Sequence, residues 1–277
     1  MLFSLSNVLS SPEKAHPCFS AQKHIYPNLR FEVEDKPGDF FKPATCKALS
    51  LFGTLAVMTI TLLWLAGGVA AYLLGSIPFG FLIAKACGKD IRKLGSGNIG
   101  ATNVFRSISK PLGILTFSLD FLKGFCGVQL IPYAVSTLLH TPYEGMYLPV
   151  FCGALTVVGH NWTCFLGFKG GKGIATSAGL LLGLSPAGVG IAFAAWLVTF
   201  LATRYVSVAS IAAAAVLGVA VWPLHLKAQG LWFPCVLTLL ALLAIWKHRS
   251  NIARLRAGTE SRFNFGKKRG DPPAAPR

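Results

Sequence analysis

The sequence predicts an all-α polytopic membrane protein, with about seven transmembrane helices packed in one compact bundle. Of its 277 residues, 53% are hydrophobic and only 13% are charged, which is too apolar for a soluble domain of this length. Lys and Arg number 26 against 10 Asp and Glu, and almost all of this excess lies beyond residue 50, in short loops between apolar runs and in the C-terminal stretch. That distribution favours attraction to anionic lipid and phosphorylated substrates, and it argues against nucleic acid as a partner.

The apolar runs recur at near-regular intervals, and a helix needs about 20 residues to cross a bilayer. The fourth run is short for a crossing, and its Gly/Ser/Pro ending predicts a compact or partly buried helix. Residues 49–58 either lengthen the first span or form an interfacial turn. The predicted spans are residues 59–86, 111–135, 147–166, 173–184, 187–203, 206–226 and 231–247.

Three regions follow from this pattern. Residues 1–57 form a polar N-terminal extension that is either disordered or the product of a miscalled start, since Met58 stands just ahead of the first strong span. The extension lacks the features of an ordinary signal peptide. Residues 58–262 form the membrane domain, and residues 263–277 form a basic tail.

Loop charges predict the orientation of the spans. The loop at 85–110 contains six Lys and Arg residues, whereas 136–146 and 185–187 contain none. By the positive-inside rule the basic loops face the cytoplasm, which puts the N-terminus outside and the C-terminus inside. The basic loops, the loop at Arg204 and the tail are then expected to share one cytoplasmic face.

Two glycine-rich basic loops carry the strongest functional signal. They read Gly95-Ser-Gly-Asn-Ile-Gly-Ala-Thr-Asn-Val-Phe-Arg106 and Phe168-Lys-Gly-Gly-Lys-Gly-Ile-Ala-Thr176. Glycine lets backbone N–H groups approach an anion, and Lys or Arg supplies countercharge. The loops therefore predict phosphate binding at the membrane surface. The alternative for the second loop is a flexible positive-inside turn, which would need its lysines but not its glycines.

Both loops contain misleading motifs. Gly95-x-Gly97-x-x-Gly100 matches a dinucleotide fingerprint, with Asp120 at a suitable distance, but that fingerprint needs a preceding strand and a βαβ unit. The second loop lacks the P-loop pattern, because Gly173 follows Lys172. What it shares with such loops is backbone donors and fixed cations at a helix start.

Several polar side chains in and near the first loop have two interpretations. Ser96, Asn98 and Asn103 either shape turns and a helix cap or contact a substrate. Arg106 either makes a bidentate hydrogen bond to a phosphate or anchors the chain at the membrane interface. Asp120 and Lys123, three residues apart on one helix face, are expected to form a structural ion pair, with direct substrate contact as the alternative.

Other candidates lie further along the chain. His160, ahead of the second loop, is either a helix–helix hydrogen-bonding group or a substrate-adjacent residue. The sixth predicted span begins beside Arg204 and Ser207. His248 and Asn251 follow the end of the last predicted span. A titratable His on the face carrying the phosphate loops is a candidate catalytic group, whereas an interfacial amphipathic tail is the alternative. The seven cysteines have no CxxC pair or metal-ligand spacing, so we expect neither a metal site nor a disulfide among them. No cofactor is expected either.

Six motifs in order resemble the PlsY-type acyl-phosphate:glycerol-3-phosphate acyltransferases of bacteria. The resemblance runs from about residue 60 to residue 262, and the polar stretch before it departs from the family pattern. The motifs are Ala71-Tyr-Leu-Leu-Gly-Ser-Ile-Pro-Phe-Gly80, Gly95–Val104, Leu119-Asp-Phe-Leu-Lys-Gly124, Gly159-His160 with Gly167–Thr176, Arg204-Tyr-Val-Ser207, and His248-Arg-Ser-Asn-Ile252.

The resemblance implies a multi-pass enzyme of the bacterial inner membrane with its active site facing the cytoplasm. It implies acyl transfer from acyl phosphate to the 1-hydroxyl of glycerol 3-phosphate, giving lysophosphatidic acid and inorganic phosphate, with an acyl-phosphate-forming enzyme upstream. Positions matching Ser96, Arg106, Lys172, His248 and Asn251 belong to the family's active site. Ser96 is expected to orient a phosphate or hydroxyl and not to form an acyl-serine, because no neighbouring base is evident.

Taken together, the residues and the resemblance predict one site. Ser96 and His248 are the expected catalytic residues, and Asp120, Lys123, His160 and Ser207 are expected to be structural or substrate-adjacent. The expected phosphate-binding residues are Gly97, Asn98, Asn103, Arg106, Lys169, Gly170, Gly171, Lys172, Arg204 and Asn251.

Two other classes compete with an enzyme. A phosphate or organophosphate transporter would also combine cationic loops with apolar helices, but it should show inverted repeats and polar groups at mid-membrane. The sequence shows no clear repeat, and its candidates cluster at one face. A scaffold that only binds anionic lipid needs basic loops but not the density of Gly, Asn and Ser.

Overall fold

A computed structural model describes residues 43–139 and 145–263, with side chains from Thr54 onward. Residues 1–42 of the predicted extension and residues 264–277 of the predicted tail lie outside the described residues. The chain divides into two compact units, Met1–Thr61 and Leu62–Arg277. In the first, residues from 43 onward are helical, and Thr59 Oγ1 donates to the carbonyl of Leu55 at 2.9 Å.

The described residues form ten α-helices and no strand, in agreement with the predicted class. Short 3₁₀ turns lie at Ile91–Lys93 and Cys164–Leu166. The helices are α1 Pro43–Ser76, α2 Phe79–Ala86, α3 Ala101–Ser107, α4 Lys110–Leu138, α5 Tyr147–Asn161, α6 Ile174–Leu184, α7 Pro186–Thr203, α8 Val206–Gln229, α9 Trp232–Lys247 and α10 Arg249–Arg256.

Four segments of the described chain are long and apolar enough to cross a membrane: Thr54–Ala86, Lys110–Leu138, Pro186–Thr203 and Val206–Gln229. Two shorter apolar helices, α6 and α9, accompany them. The short fourth run predicted from sequence is indeed a compact helix of 11 residues. The third, predicted over 147–166, ends as an α-helix at Asn161.

The first predicted span is interrupted at Ile77 and Pro78. Proline lacks an N–H donor and disfavours helical backbone in the residue before it, so α1 ends at Ser76 and α2 begins at Phe79. The interruption leaves the Ile77 carbonyl available, and Lys123 Nζ donates to it at 2.8 Å. A lysine of α4 therefore stabilises the broken turn.

Close helix packing brings the second glycine loop next to α4. A Cβ on Gly124 would collide with the backbone of Thr176, and a Cβ on Gly179 with the backbone of Phe121. Small residues at such crossings let helix backbones approach, which is the usual basis of helix association in membranes. The start of α6 is thus fixed against the middle of α4.

Helices α6, α7, α8 and α9 follow one another as neighbours. Ser185 caps α7 by accepting a hydrogen bond from the Gly188 N–H at 3.3 Å, and Pro186 occupies the first helical position. The main buried core joins α4, α5, α6, α8 and α9 through residues such as Val128, Leu180 and Leu237. The loops that carry the candidate residues lie at one end of these helices.

Candidate active site

The first glycine loop is held by the carboxamide of Asn103, which is 5% exposed. Its Nδ2 donates to the carbonyls of Leu94 and Asn98, at 2.9 and 2.8 Å. Its Oδ1 accepts from the backbone N–H of Ser96 at 3.2 Å. These bonds fold the loop back on α3 and leave the Ser96 side chain exposed.

The second glycine loop packs directly on His160. The Gly171 N–H donates to the His160 carbonyl at 3.0 Å, and a Cβ on Gly171 would collide with the imidazole ring. Gly173 has φ of +79°, a value that few residues other than glycine adopt, and it caps α6. The loop thereby directs the N-terminal N–H groups of α6 toward the same space as Lys172, and such a helix end favours an anion.

Lys172 and Asn251 are joined by a hydrogen bond from Nζ to Oδ1. Asn251 Nδ2 donates in turn to Glu260 Oε1 at 2.7 Å, which also accepts from Ser207 Oγ at 2.7 Å. Arg254 Nε donates to Glu260 Oε2 at 2.7 Å. The Glu260 carboxylate, in the segment after α10, therefore links this segment to α8 and α10 beside Lys172.

The C-terminal segment is fastened at further points. Arg106 Nη2 donates to the Ser261 carbonyl at 3.1 Å, and Arg262 Nε donates to the Thr203 carbonyl at 3.3 Å. The Phe263 N–H donates to the Arg204 carbonyl at 2.8 Å. The segment after α10 therefore lies beside the ends of α3, α7 and α8.

His248 is 3% exposed and lies between α9 and α10. Its Nδ1 is 2.8 Å from the Ala244 carbonyl, which can only accept, so Nδ1 carries the proton of the neutral ring and Nε2 is left as an acceptor. Burial lowers the pKa of His248 to about 4, against the opposing effect of the bond to Ala244. The imidazole is therefore neutral at pH 7.

Lys172 and Glu260 have opposite charges in one half-buried environment. Burial, helped by the nearby Arg254, lowers the pKa of Lys172 to about 8. Burial raises the pKa of Glu260, but hydrogen bonds from Asn251, Ser207 and Arg254 outweigh it, so its net pKa lies below the usual value. At pH 7 the lysine is mostly cationic and the glutamate anionic.

These residues surround a polar cavity of about 280 Å³. Among the predicted site residues, the cavity lining includes Ser96, Asn98, Asn103, Arg106, Asp120, His160, Lys172, Ser207, His248 and Asn251. The predicted residues outside the lining are Gly97, Lys123, Lys169, Gly170, Gly171 and Arg204. Lys169 and Arg204 are exposed, whereas Gly170 and Gly171 pack against α5 below the loop.

The predicted ion pair between Asp120 and Lys123 is present beneath the cavity. Lys123 Nζ lies 2.8 Å from Asp120 Oδ1, and both residues are 3% exposed. His160 Nδ1 lies 3.5 Å from the same oxygen. Because His160 also packs on Gly171, this buried cluster connects α4 to the second glycine loop.

A second, apolar cavity of about 400 Å³ continues from the polar one. Four residues line both cavities: Phe117, Ile174, Trp196 and Ser210. Trp196 Nε1 donates to Ser210 Oγ at 3.4 Å, which orders this junction. The apolar cavity reaches the outer surface of the helices at Phe117 and Phe193, which are 46% and 60% exposed.

Sequence reasoning missed the contributions of Trp196, Arg254, Glu260 and Ser261. One feature of the sequence could have indicated Glu260, because it is the only acidic residue in the basic stretch 247–262. No feature of the sequence indicated Trp196, because an aromatic residue in an apolar span is usually a packing residue. Within the described residues, no group of three His, Cys, Asp or Glu side chains is arranged to hold a metal ion.

Comparison with known proteins identifies the family of this chain. Residues 51–258 match the family model described as glycerol-3-phosphate acyltransferase. The glycerol-3-phosphate acyltransferase of Geobacter metallireducens is 48% identical over 206 residues, covering 74% of this chain and 99% of the relative. That of Geotalea daltonii is 46% identical over 195 residues, covering 70% of this chain and 95% of the relative.

The fold is also similar to two crystal structures of PlsY, an integral membrane glycerol 3-phosphate acyltransferase. The glycerol 3-phosphate form superposes with a TM-score of 0.64 at 41% identity, covering 73% of this chain and 96% of that one. The lysophosphatidic acid form gives 0.62 at 40% identity, covering 73% and 95%. The chain therefore belongs to the PlsY family of integral membrane glycerol-3-phosphate acyltransferases, enzymes of phospholipid biosynthesis.

Proposed function

We propose that this acyltransferase takes its fatty acyl group from acyl phosphate and transfers it to the 1-hydroxyl of glycerol 3-phosphate. The products are lysophosphatidic acid and inorganic phosphate, in the first acylation of phospholipid synthesis. Both substrates carry a phosphate, so the site has to hold two anions close together. The related PlsY structures in glycerol 3-phosphate and lysophosphatidic acid forms support the acceptor and the product.

The observation that carries this proposal is the junction between the polar and apolar cavities. An acyl phosphate has a long apolar chain and a dianionic head, and the two cavities offer one environment to each part. Their shared residues Trp196 and Ser210 lie where the carbonyl carbon would sit between them. Exposure of Phe117 and Phe193 supports sideways entry of the chain from the bilayer.

We assign phosphate binding to Lys172, Arg106 and the N–H groups that begin α6. The cations offset repulsion between two phosphates, and the helix end adds fixed donors. Asn251 holds the Lys172 ammonium, and Ser96 and Asn98 supply neutral hydrogen-bonding groups from the opposite loop. These donors are fixed before substrate arrives, which is the arrangement that stabilises developing charge most effectively.

Several residues predicted to bind phosphate have a different role, or none, in this proposal. The Asn103 carboxamide is occupied by bonds within its own loop, so we assign it to holding that loop. Lys169 and Arg204 are exposed and outside the cavity lining, so we assign them no substrate contact.

The chemistry is a direct displacement at the acyl carbonyl. The 1-hydroxyl oxygen of glycerol 3-phosphate forms a bond to the carbonyl carbon, and the bond from that carbon to the phosphate oxygen breaks. The hydroxyl proton goes to His248 Nε2 or to an oxygen of the departing phosphate. Acyl phosphate has a good leaving group, so the residues mainly position the hydroxyl and stabilise negative charge on the carbonyl and phosphate oxygens.

We also propose the topology that this chemistry requires. The seven predicted spans cross the bacterial inner membrane, the N-terminus lies outside, and the loops with Ser96 and Lys172 face the cytoplasm, as the loop charges predict. A water-soluble acceptor then reaches the polar cavity from the cytoplasm. The donor comes from an acyl-phosphate-forming reaction upstream.

The test compares donors. Purified full-length protein in lipid nanodiscs is supplied with labelled glycerol 3-phosphate and either palmitoyl phosphate or palmitoyl-CoA. We expect labelled lysophosphatidic acid from palmitoyl phosphate alone. Product formed only from the CoA thioester would overturn the donor assignment.

A further inference from the structure

On the two walls that α8 and α9 form, the side chains lining the apolar cavity change from small to large with distance from the polar site. Along α8 the lining residues are Ser210, Ala213 and Ala214, followed by Leu217. Leu217 lies about 10 Å from Ser210 along the helix axis, at about 1.5 Å per residue. The space next to the reaction centre is therefore created by missing side-chain volume on α8.

The antiparallel helix α9 repeats the same gradient. Ala244, four residues before His248, and then Ala241 line the near part of the cavity. Leu240 and Leu237 line the part further away, about 6 and about 10 Å from Ala244 on the same rise per residue. Both helices thus change from alanine to leucine at about the same depth.

The leucines that end the cavity are fixed in the main core. Leu217 is 5% exposed and Leu237 is fully buried, and both belong to the core cluster that includes Leu180. Leu217 is also backed by α7, since its Cδ1 is 3.3 Å from where a Cβ of Gly188 would lie. Side chains packed this closely move little, so an acyl chain that reaches these leucines cannot easily displace them.

From this gradient we propose that Leu217 and Leu237 limit the length of the acyl chain that is transferred, and that Ala214 and Ala241 keep the path to them open. The inference rests on the proposed acyl-phosphate chemistry, because it takes the apolar cavity as the place of the donor's chain. A chain longer than the cavity must bend back toward the surface between α4 and α7 or displace core leucines. Donors that fill the cavity to its end should be used best.

Competition between donors of different length tests the proposal. Full-length protein in nanodiscs is supplied with labelled glycerol 3-phosphate and octanoyl, lauroyl or palmitoyl phosphate, and the ratio of kcat/KM for palmitoyl to octanoyl donor is measured. Ala241→Phe should lower this ratio about tenfold, and Leu217→Ala should raise it by a similar factor, as expected when pocket size changes by a few methylene groups. The KM for glycerol 3-phosphate should stay the same.

The matched control is Ala215→Phe on the same helix α8, since Ala215 is exposed and outside the cavity lining. Its ratio should equal that of the unmodified protein. If Ala241→Phe is inactive with every donor, the kcat/KM ratios of two other variants test the proposal. The ratio of long to short donor should rise in Leu217→Ala and fall in Ala214→Val. Activity with unchanged ratios in the cavity variants would overturn this inference alone, whereas no product from any acyl phosphate in the unmodified protein would overturn the proposed function.

Discussion

The ammonium group of Lys172 donates a hydrogen bond to the carboxamide of Asn251, 79 residues further along the chain. The same carboxamide donates to Glu260 at 2.7 Å. A loop cation is thereby tied to a carboxylate in the segment after the last helix. Neither residue is near the other in sequence, so the cation that we assign to phosphate binding depends on the whole bundle for its position.

Replacing Lys172 with Ala should abolish most activity while leaving the protein folded. The change removes a prearranged cation from the polar cavity, and loss of one such donor costs about 10²–10³-fold in rate. Steady-state kinetics with palmitoyl phosphate and glycerol 3-phosphate measure this. Lys169→Ala is the control, because Lys169 is an exposed lysine of the same loop outside the cavity. Equal losses in the two variants would contradict the assignment.

Activity should weaken as pH rises through about 8, the value to which burial lowers the pKa of Lys172. Below it the side chain is an ammonium, and above it the cation is lost while the phosphate ester stays a dianion. The KM for glycerol 3-phosphate should therefore increase between about pH 7 and about pH 9.5, with a smaller change in kcat. In Lys172→Arg the cation persists, and a KM that rises over the same range in that variant would contradict the explanation.

Gly171→Ala should raise the KM for glycerol 3-phosphate, because the added Cβ would collide with the ring of His160 and push the loop away from the cavity. We expect a loss of about tenfold or more in kcat/KM, in line with the sensitivity of catalysis to small misplacements. Gly190→Ala on α7 is the control, since a Cβ there meets nothing within 4 Å. A Gly171→Ala enzyme with normal kinetics would show that the loop can move without cost.

Glu260→Ala should lower both stability and activity, because it leaves Ser207, Asn251 and Arg254 without their shared acceptor. Loss of such bonds costs roughly 1–3 kcal/mol for each group left buried without a partner. Glu260→Gln keeps one oxygen acceptor and should be less severe in thermal unfolding. If both variants unfold at the temperature of the unmodified protein, the carboxylate does not hold the segment.

The sequence was sufficient for the class of the protein and for most of the polar and charged residues that line the cavity. Near-regular apolar runs predicted the helices, and the two glycine loops predicted Ser96, Arg106 and Lys172, all of which line one cavity. The Asp120–Lys123 pair could be predicted because residues three apart on a helix share a face. These inferences depend on local spacing, which a sequence contains directly.

The rest depends on contacts between distant segments. The break at Pro78 was missed because apolar residues continue on both sides of it, and its stabilising contact from Lys123 comes from another helix. Glu260 lies in the polar segment after α10, whose position is set by Arg254, Asn251 and Ser207 together. The apolar cavity results from alanines on α8 and α9 that meet only after the helices pack, so no local pattern predicts it.

The central claim is that one acyl phosphate and one glycerol 3-phosphate react directly in the joined cavities. The measurement that tests it most directly is the simultaneous release of inorganic phosphate and lysophosphatidic acid from palmitoyl phosphate by the purified protein in nanodiscs. We predict equal amounts of the two products, and no phosphate release when glycerol 3-phosphate is omitted. Phosphate released without acceptor, or lysophosphatidic acid formed without an equal amount of phosphate, would contradict direct transfer.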